Sequence, residues 1–168
     1  LPREKYDFNQ HLGFAVWTAD GSKWEGPRHL EGTYGHYIWR AATHGGKAYL
    51  CGRRAHTGGL QSALLESEDG LVWRFRSLFQ ESRGNETAFI IDPDGRLTAV
   101  CRKSAEAADL VRSEPPYEHW TRRELPEYIG GPLLTRWGQR LLVGGRRQAP
   151  SGPQTTLHWL IDDQLIPC

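Results

Sequence analysis

The chain has 168 residues, enough to bury one sizeable core, and its 38% hydrophobic and 24% charged content is that of a folded globular protein rather than a disordered segment. With 21 basic against 20 acidic residues it lacks the broad positive field that a phosphate backbone demands, so nucleic acid is not an expected partner. No stretch approaches the roughly 18 apolar residues of a membrane span, and Leu1-Pro2-Arg3-Glu4-Lys5 carries no apolar signal core, so no membrane partner is expected.

Methionine is absent and the first residue is Leu1, so the chain is expected to be a processed or excised piece. In chain order, residues 1–35 read as the end of one structural unit, a strand pair followed by the next unit at residue 36. Short runs rich in aromatic and branched residues follow at Tyr37 to Ala42, Lys47 to Gly52, Ser62 to Ser67 and Val72 to Leu78, separated by Gly, Asp and His turns. They make residues 36–80 a four-stranded unit. Residues 81–127 and 128–168 repeat it, the last strand, Asp163 to Pro167, being weak. Asp69-Gly70 and Asp94-Gly95 are hairpin signals, because glycine accepts the positive φ of tight turns. No segment carries helical periodicity with caps.

Two features share one period. Thr18-Ala19-Asp20-Gly21-Ser22-Lys23-Trp24 and Ser67-Glu68-Asp69-Gly70-Leu71-Val72-Trp73 have the same pattern with their tryptophans 49 residues apart, and Ser113 to Trp120 is a degraded copy with Pro115-Pro116 in place of Asp-Gly. Independently, a glycine turn, an apolar run and an arginine recur at 46–53, 95–102 and 138–146, ending on Arg53, Arg102 and Arg146. Four-stranded units at this spacing predict an all-β fold, a β-propeller of antiparallel blades with about three and a half blades in one partial domain and the remainder of a six-bladed ring elsewhere. Exposed blade faces at the ends predict that further blades of the same protein, or a second copy, complete the ring.

Trp24, Trp73 and Trp120 are expected in blade packing. Trp17, Trp39, Trp137 and Trp159 lie outside that position, where stacking on a pyranose is open to them, Trp39 above all because it adjoins Arg40. Cys51 and Cys101 fall in equivalent apolar runs and read as buried thiols, Cys168 being terminal. His29, His36 and His44 read as turn or surface residues; no metal-ligand spacing occurs, and no metal or cofactor is expected. Arg54 and Arg147, next to the repeated arginines, are expected to point the opposite way into solvent. The carboxylates Glu4, Asp7, Asp20 and Glu25 form no pair that can be placed.

The turn Ser67 to Trp73 resembles the Asp-box of the sialidase superfamily. Residues 85–102 are similar to a sialidase site motif, in which a glutamate opening a blade's inner strand is followed across one hairpin by an arginine. The resemblance implies a glycoside hydrolase, or an inactive relative, acting on acidic sugars and exported to meet them in the periplasm or outside the cell. It implies that Glu86 polarises a tyrosine nucleophile and that Arg102, Arg146 and further arginines clamp a substrate carboxylate. Arg40 matches the aromatic-arginine pair of the first such arginine, and Arg53 holds the repeated position. Bidentate guanidinium binding and base-assisted attack by a phenol account for those residue types. The sequence departs from the pattern in two places. No tyrosine follows Tyr128, and residues 54–67 contain no aspartate to serve as acid and base, so the nucleophile is expected elsewhere and the first catalytic blade before Leu1. Strand-end arginines equally suit plain pairing with neighbouring carboxylates. A non-catalytic propeller binding glycan or protein, and a half-propeller that dimerises, are the alternatives.

Overall fold

A computed structural model describes residues 10–168, and it places fourteen strands and no helix among them. Two strands, β1 (Phe14–Trp17) and β2 (Glu25–His29), pair as an N-terminal sheet. The first blade is β3 (His36–His44), β4 (Lys47–His56), β5 (Gly59–Ser67) and β6 (Arg74–Gln80). The second is β7 (Gly84–Ile91), β8 (Leu97–Lys103), β9 (Glu106–Ser113) and β10 (Thr121–Glu124). The third is β11 (Gly130–Trp137), β12 (Arg140–Ala149), β13 (Gly152–Ile161) and β14 (Gln164–Pro167). Each blade is an antiparallel meander in sequence order. The first strands of successive blades are neighbours, β7 touching β3 on one side and β11 on the other, so these three line the axis of a propeller. The chain is therefore about three and a half propeller blades. Glu4 and Asp7 lie outside the described residues.

Strand alternation explains why the core is a series of seams rather than one centre. Neighbouring side chains on a strand point to opposite faces, and the second blade, flanked on both sides, buries both. On β8, Cys101 enters the seam with the first blade, beside Cys51, Leu64, Phe79 and Val111. Val100, one residue earlier, enters the seam with the third blade, beside Leu110, Leu134, Val143 and Leu160. A third seam, Leu30, Leu50, Leu65 and Trp73, joins the N-terminal sheet to the first blade. Each fully buried leucine or valine contributes about 1.5–3 kcal/mol. Polar ties reinforce the seams at their edges. Arg122 donates to the Phe79 and Leu78 carbonyls at 2.8 and 2.9 Å, and the Ser62 and Thr87 hydroxyls lie 2.6 Å apart.

The Asp-Gly turns are held by their own aspartates. Asp69 accepts from the backbone N–H groups of Leu71 and Val72 at 2.8 and 2.9 Å through one oxygen, which Ser67 also meets, and Gly70 has φ +75°. Asp20 does the same for Ser22 and Lys23. The degraded copy uses other means: the Ser113 hydroxyl donates to the His119 carbonyl at 2.7 Å, and Tyr117, buried, donates to the Gly95 carbonyl at 2.9 Å.

Three expectations fail here. Trp24 is 63% exposed rather than packed, because no described residue covers the side of the N-terminal sheet from which it projects; Trp73 is buried and Trp120 packs on the first seam. His36 is buried, pressed by the close approach of Gly52, where a Cβ would stand 3.0 Å from the His36 Cβ, and burial lowers its pKa. Arg54 is not loose in solvent: it donates to Gln61 at 2.9 Å and lies 4.5 Å over the Phe75 ring. Cys51 and Cys101 are buried free thiols and Cys168 is exposed.

Candidate functional site

In an antiparallel meander the start of the first strand and the end of the second meet at one end of the blade. Tyr37 pairs with Arg53, Gly84 with Lys103 and Gly130 with Arg146, which brings three blades' worth of nominated residues to one face. Bulges interrupt all three pairings, between Ile38 and Arg40, Gly84 and Thr87, and Gly130 and Leu133, so the inner strands turn as they reach this rim.

Two groups form there. Between the first and second blades, Arg53 donates to Asn85 Oδ1 at 3.1 Å and lies 5.0 Å over the Tyr37 ring, which in turn stands 5.9 Å from Trp39. Trp39 is half-buried, with the edge of its ring facing Gly131 across the axis at 4.0 Å from a Cβ built there. Its indole N–H is buried with no hydrogen-bond partner among the described residues.

Between the second and third blades, one nitrogen of Arg102 donates to both oxygens of Glu86, at 3.0 and 2.7 Å, and its Nε donates to the Ser104 carbonyl at 3.1 Å. The pair is largely withdrawn from water. Tyr128 completes this group. Its ring lies 5.5 Å from the Arg102 guanidinium carbon, and its hydroxyl is 3.4 Å from Arg146, an interaction that raises the arginine's pKa further. Gly130 lies close beneath it, where a Cβ would stand 2.5 Å from the Tyr128 oxygen.

Glu86, Arg102 and Arg146 are thus brought together, and Arg53 with Trp39 forms the adjoining group. Arg40 joins neither. It lies exposed further down β3, opposite Cys51, with no side-chain hydrogen bond or ion pair among the described residues. Tyr128 is the residue that sequence reasoning passed over, because it lies in the linker between blades and outside both repeated patterns. No group of three His, Cys, Asp or Glu side chains able to hold a metal occurs among the described residues.

No protein-family model matches the sequence, and no curated protein matches it. Solved structures do match the fold. A family 117 glycoside hydrolase of the marine bacterium Zobellia galactanivorans aligns over 96% of this chain and 62% of its own, at TM-score 0.64 and 11% identity. A family 32 β-fructofuranosidase of Bombyx mori, determined with sucrose, aligns over 97% of this chain and 44% of its own, at 0.59 and 17%. An exo-1,5-α-L-arabinanase from a bovine ruminal metagenomic library aligns over 86% of this chain and 62% of its own, at 0.58 and 15%.

The fold is that of propeller glycoside hydrolases. The chain spans less than two thirds of the length of each of these enzymes, and identities of this order carry architecture and not a particular sugar.

Proposed function

We propose that this chain forms part of the carbohydrate-handling face of a glycoside hydrolase-like propeller, sialidase-like in acting on acidic sugars. The observation that carries the reading is the row Glu86, Arg102, Tyr128, Arg146 at one rim of a fold that the chain shares with enzymes that cleave glycosidic bonds. Arg146, hydrogen-bonded to a phenol, keeps donors for a substrate carboxylate, as does the planar fork of Arg102 beyond its glutamate contact. Glu86 polarises the attacking group, a tyrosine supplied by another part of the protein. Tyr37 and Trp39 offer aromatic faces for a sugar ring.

Glycoside cleavage by the commonest routes takes two carboxylates. In this cluster Glu86 is the one carboxylate found among the described residues, and both its oxygens are engaged by Arg102. That observation favours, as a second reading, a propeller that binds acidic glycan without cleaving it.

Turnover of a panel of sialosides and uronosides by the protein separates the two. For the enzyme, Glu86→Gln lowers kcat by about a hundredfold or more with KM little changed, whereas Arg146→Gln raises KM about tenfold. Saturable binding with no turnover on any acidic glycoside would establish the second reading, and an absence of both would end the carbohydrate assignment.

A further inference from the structure

We infer that the hairpin joining β12 to β13 carries an accessory anion subsite, in which Arg147, oriented by Gln154, takes the acidic group of a sugar adjoining the one at Glu86 and Arg102, so that the ligand is a glycan with anionic groups on successive units. This rests on the carbohydrate reading above and narrows it to a class of ligand.

The shape of the rim is the first ground. Beyond the repeated arginine, the hairpin of the first blade stays paired to His56 opposite Gly59, and that of the third blade to Ala149 opposite Gly152. The second blade's hairpin ends sooner, at Lys103 opposite Glu106. Two further residues on each flanking hairpin, at the rise of an extended chain, raise them about 7 Å above the middle one. Glu86 and Arg102 therefore lie at the floor of a notch over the second blade, between flanking sheets on the order of 20 Å apart, twice the face-to-face spacing of sheets. A glycan chain fits such a notch with more than one sugar in contact.

The distribution of charge is the second ground. At the floor each cation is answered by an acid: Arg102 by Glu86, Arg83 by Glu106, and Lys103 by Asp109 and Glu124. On the third blade's wall none is. Arg147 donates to Gln154 Oε1 at 3.1 Å, Arg146 donates to the Tyr128 phenol with Glu86 acting on it only at longer range, and neither makes an ion pair among the described residues. Gln154 in turn donates to the Ser151 hydroxyl at 3.0 Å, which fixes its amide with the oxygen towards Arg147. The guanidinium is thus oriented by a neutral group and its charge left uncompensated, the arrangement expected of a side chain that awaits an anion.

The third ground is the space. A hollow of about 390 Å³ beside this wall is lined by Tyr128 and Glu127 on one side and by Arg147, Gln148, Ala149 and Pro150 on the other. Tyr128 is therefore shared between the hollow and the Arg102–Arg146 group, which joins the two subsites through one ring. Glu127, the one acid that lines the hollow, is turned to the His158 imidazole at 3.6 Å and makes no ion pair with Arg147.

Binding titrations of the protein with trigalacturonate, galacturonic acid and neutral galactotriose test the inference. Trigalacturonate is expected to bind more tightly than the other two, and Arg147→Gln to raise its Kd about tenfold while changing that of galacturonic acid less than twofold. Gln154→Ala, at a second exposed position, is expected to reproduce part of the loss, and Arg147→Lys to recover part of it. An equal loss for trimer and monomer, or none for either, overturns the accessory subsite and leaves the carbohydrate face standing. Tighter binding of galactotriose overturns the acidic ligand, an equal loss on Arg147→Gln for an oligothymidylate titrated alongside shows a general polyanion surface and overturns the glycan, and binding of no sugar at all removes the parent reading with it.

Discussion

Asp20 and Asp69 show how much of this fold rests on single carboxylates in turns. Each accepts two backbone N–H groups through one oxygen, which favours the ionised form and lowers the pKa, that of Asp20 from 3.8 to about 2. A carboxyl whose folded pKa lies below its unfolded value stabilises the fold above the unfolded pKa, and loses that contribution as pH falls through the folded one. The contribution of Asp20 is therefore complete above about pH 5, falls as pH drops through about 2, and is gone by about pH 1. Acid titration of melting temperature is expected to show Asp69→Asn less stable than the parent at pH 7, with the difference narrowing as pH falls below the ordinary aspartate range. A constant difference across the titration would show that the turn is held by Ser67 and Gly70 without the charge. Trp73 adds to this turn by donating its indole N–H to the Gly70 carbonyl at 3.2 Å, so the repeated aspartate and tryptophan are parts of one device.

Strands were the most legible level of the sequence. The four runs placed between Tyr37 and Leu78 correspond to β3 to β6, because alternation, glycine turns and branched residues all report local backbone preference. The weak final run also forms a strand, β14, although only Leu165 on it is buried. What the sequence did not disclose depends on neighbours distant in the chain. Trp24 has the same local setting as Trp73 and the opposite exposure, a difference set by whether a sheet stands opposite. The Glu86–Arg102 pair was foreseeable from one hairpin; the place of Tyr128 beside it required knowing how the linker after β10 crosses to the third blade. Glycines record that distant packing best. Gly84 opens β7 where a Cβ would collide with the Ser62 backbone nitrogen and stand 2.6 Å from the Gln61 carbonyl carbon. The Gln61–Ser62 peptide is backbone and cannot yield as a flexible side chain would, so Gly84→Ala is expected to cost about 1–3 kcal/mol in denaturant unfolding, the range for overpacking. A neutral result would mean that the first and second blades are not in contact at this rim.

At the scale of the whole molecule, the fold is an arc with unlike ends. The far face of the third blade exposes Trp137, Leu157, Ile161 and Ile166, whose neighbours Leu160 and Leu165 are buried against the second blade. At the other end Phe14 and Val16 face outward from the N-terminal sheet. The seams between blades are covered by contrast, and one of them contains a built-in clock. Cys51 and Cys101 lie in the seam between the first and second blades, the Cys51 thiol donating to the Thr87 carbonyl at 2.9 Å, and burial pushes both pKa values up, that of Cys51 to about 12. Neither can react as a thiolate while the seam is shut. With exposed Cys168 as the immediate reference, the rate at which an alkylating reagent reaches Cys51 and Cys101 measures how often these two blades part without the rest of the molecule unfolding. Equal rates at both positions, slower than at Cys168 and faster than global unfolding, are expected if the blades separate as units.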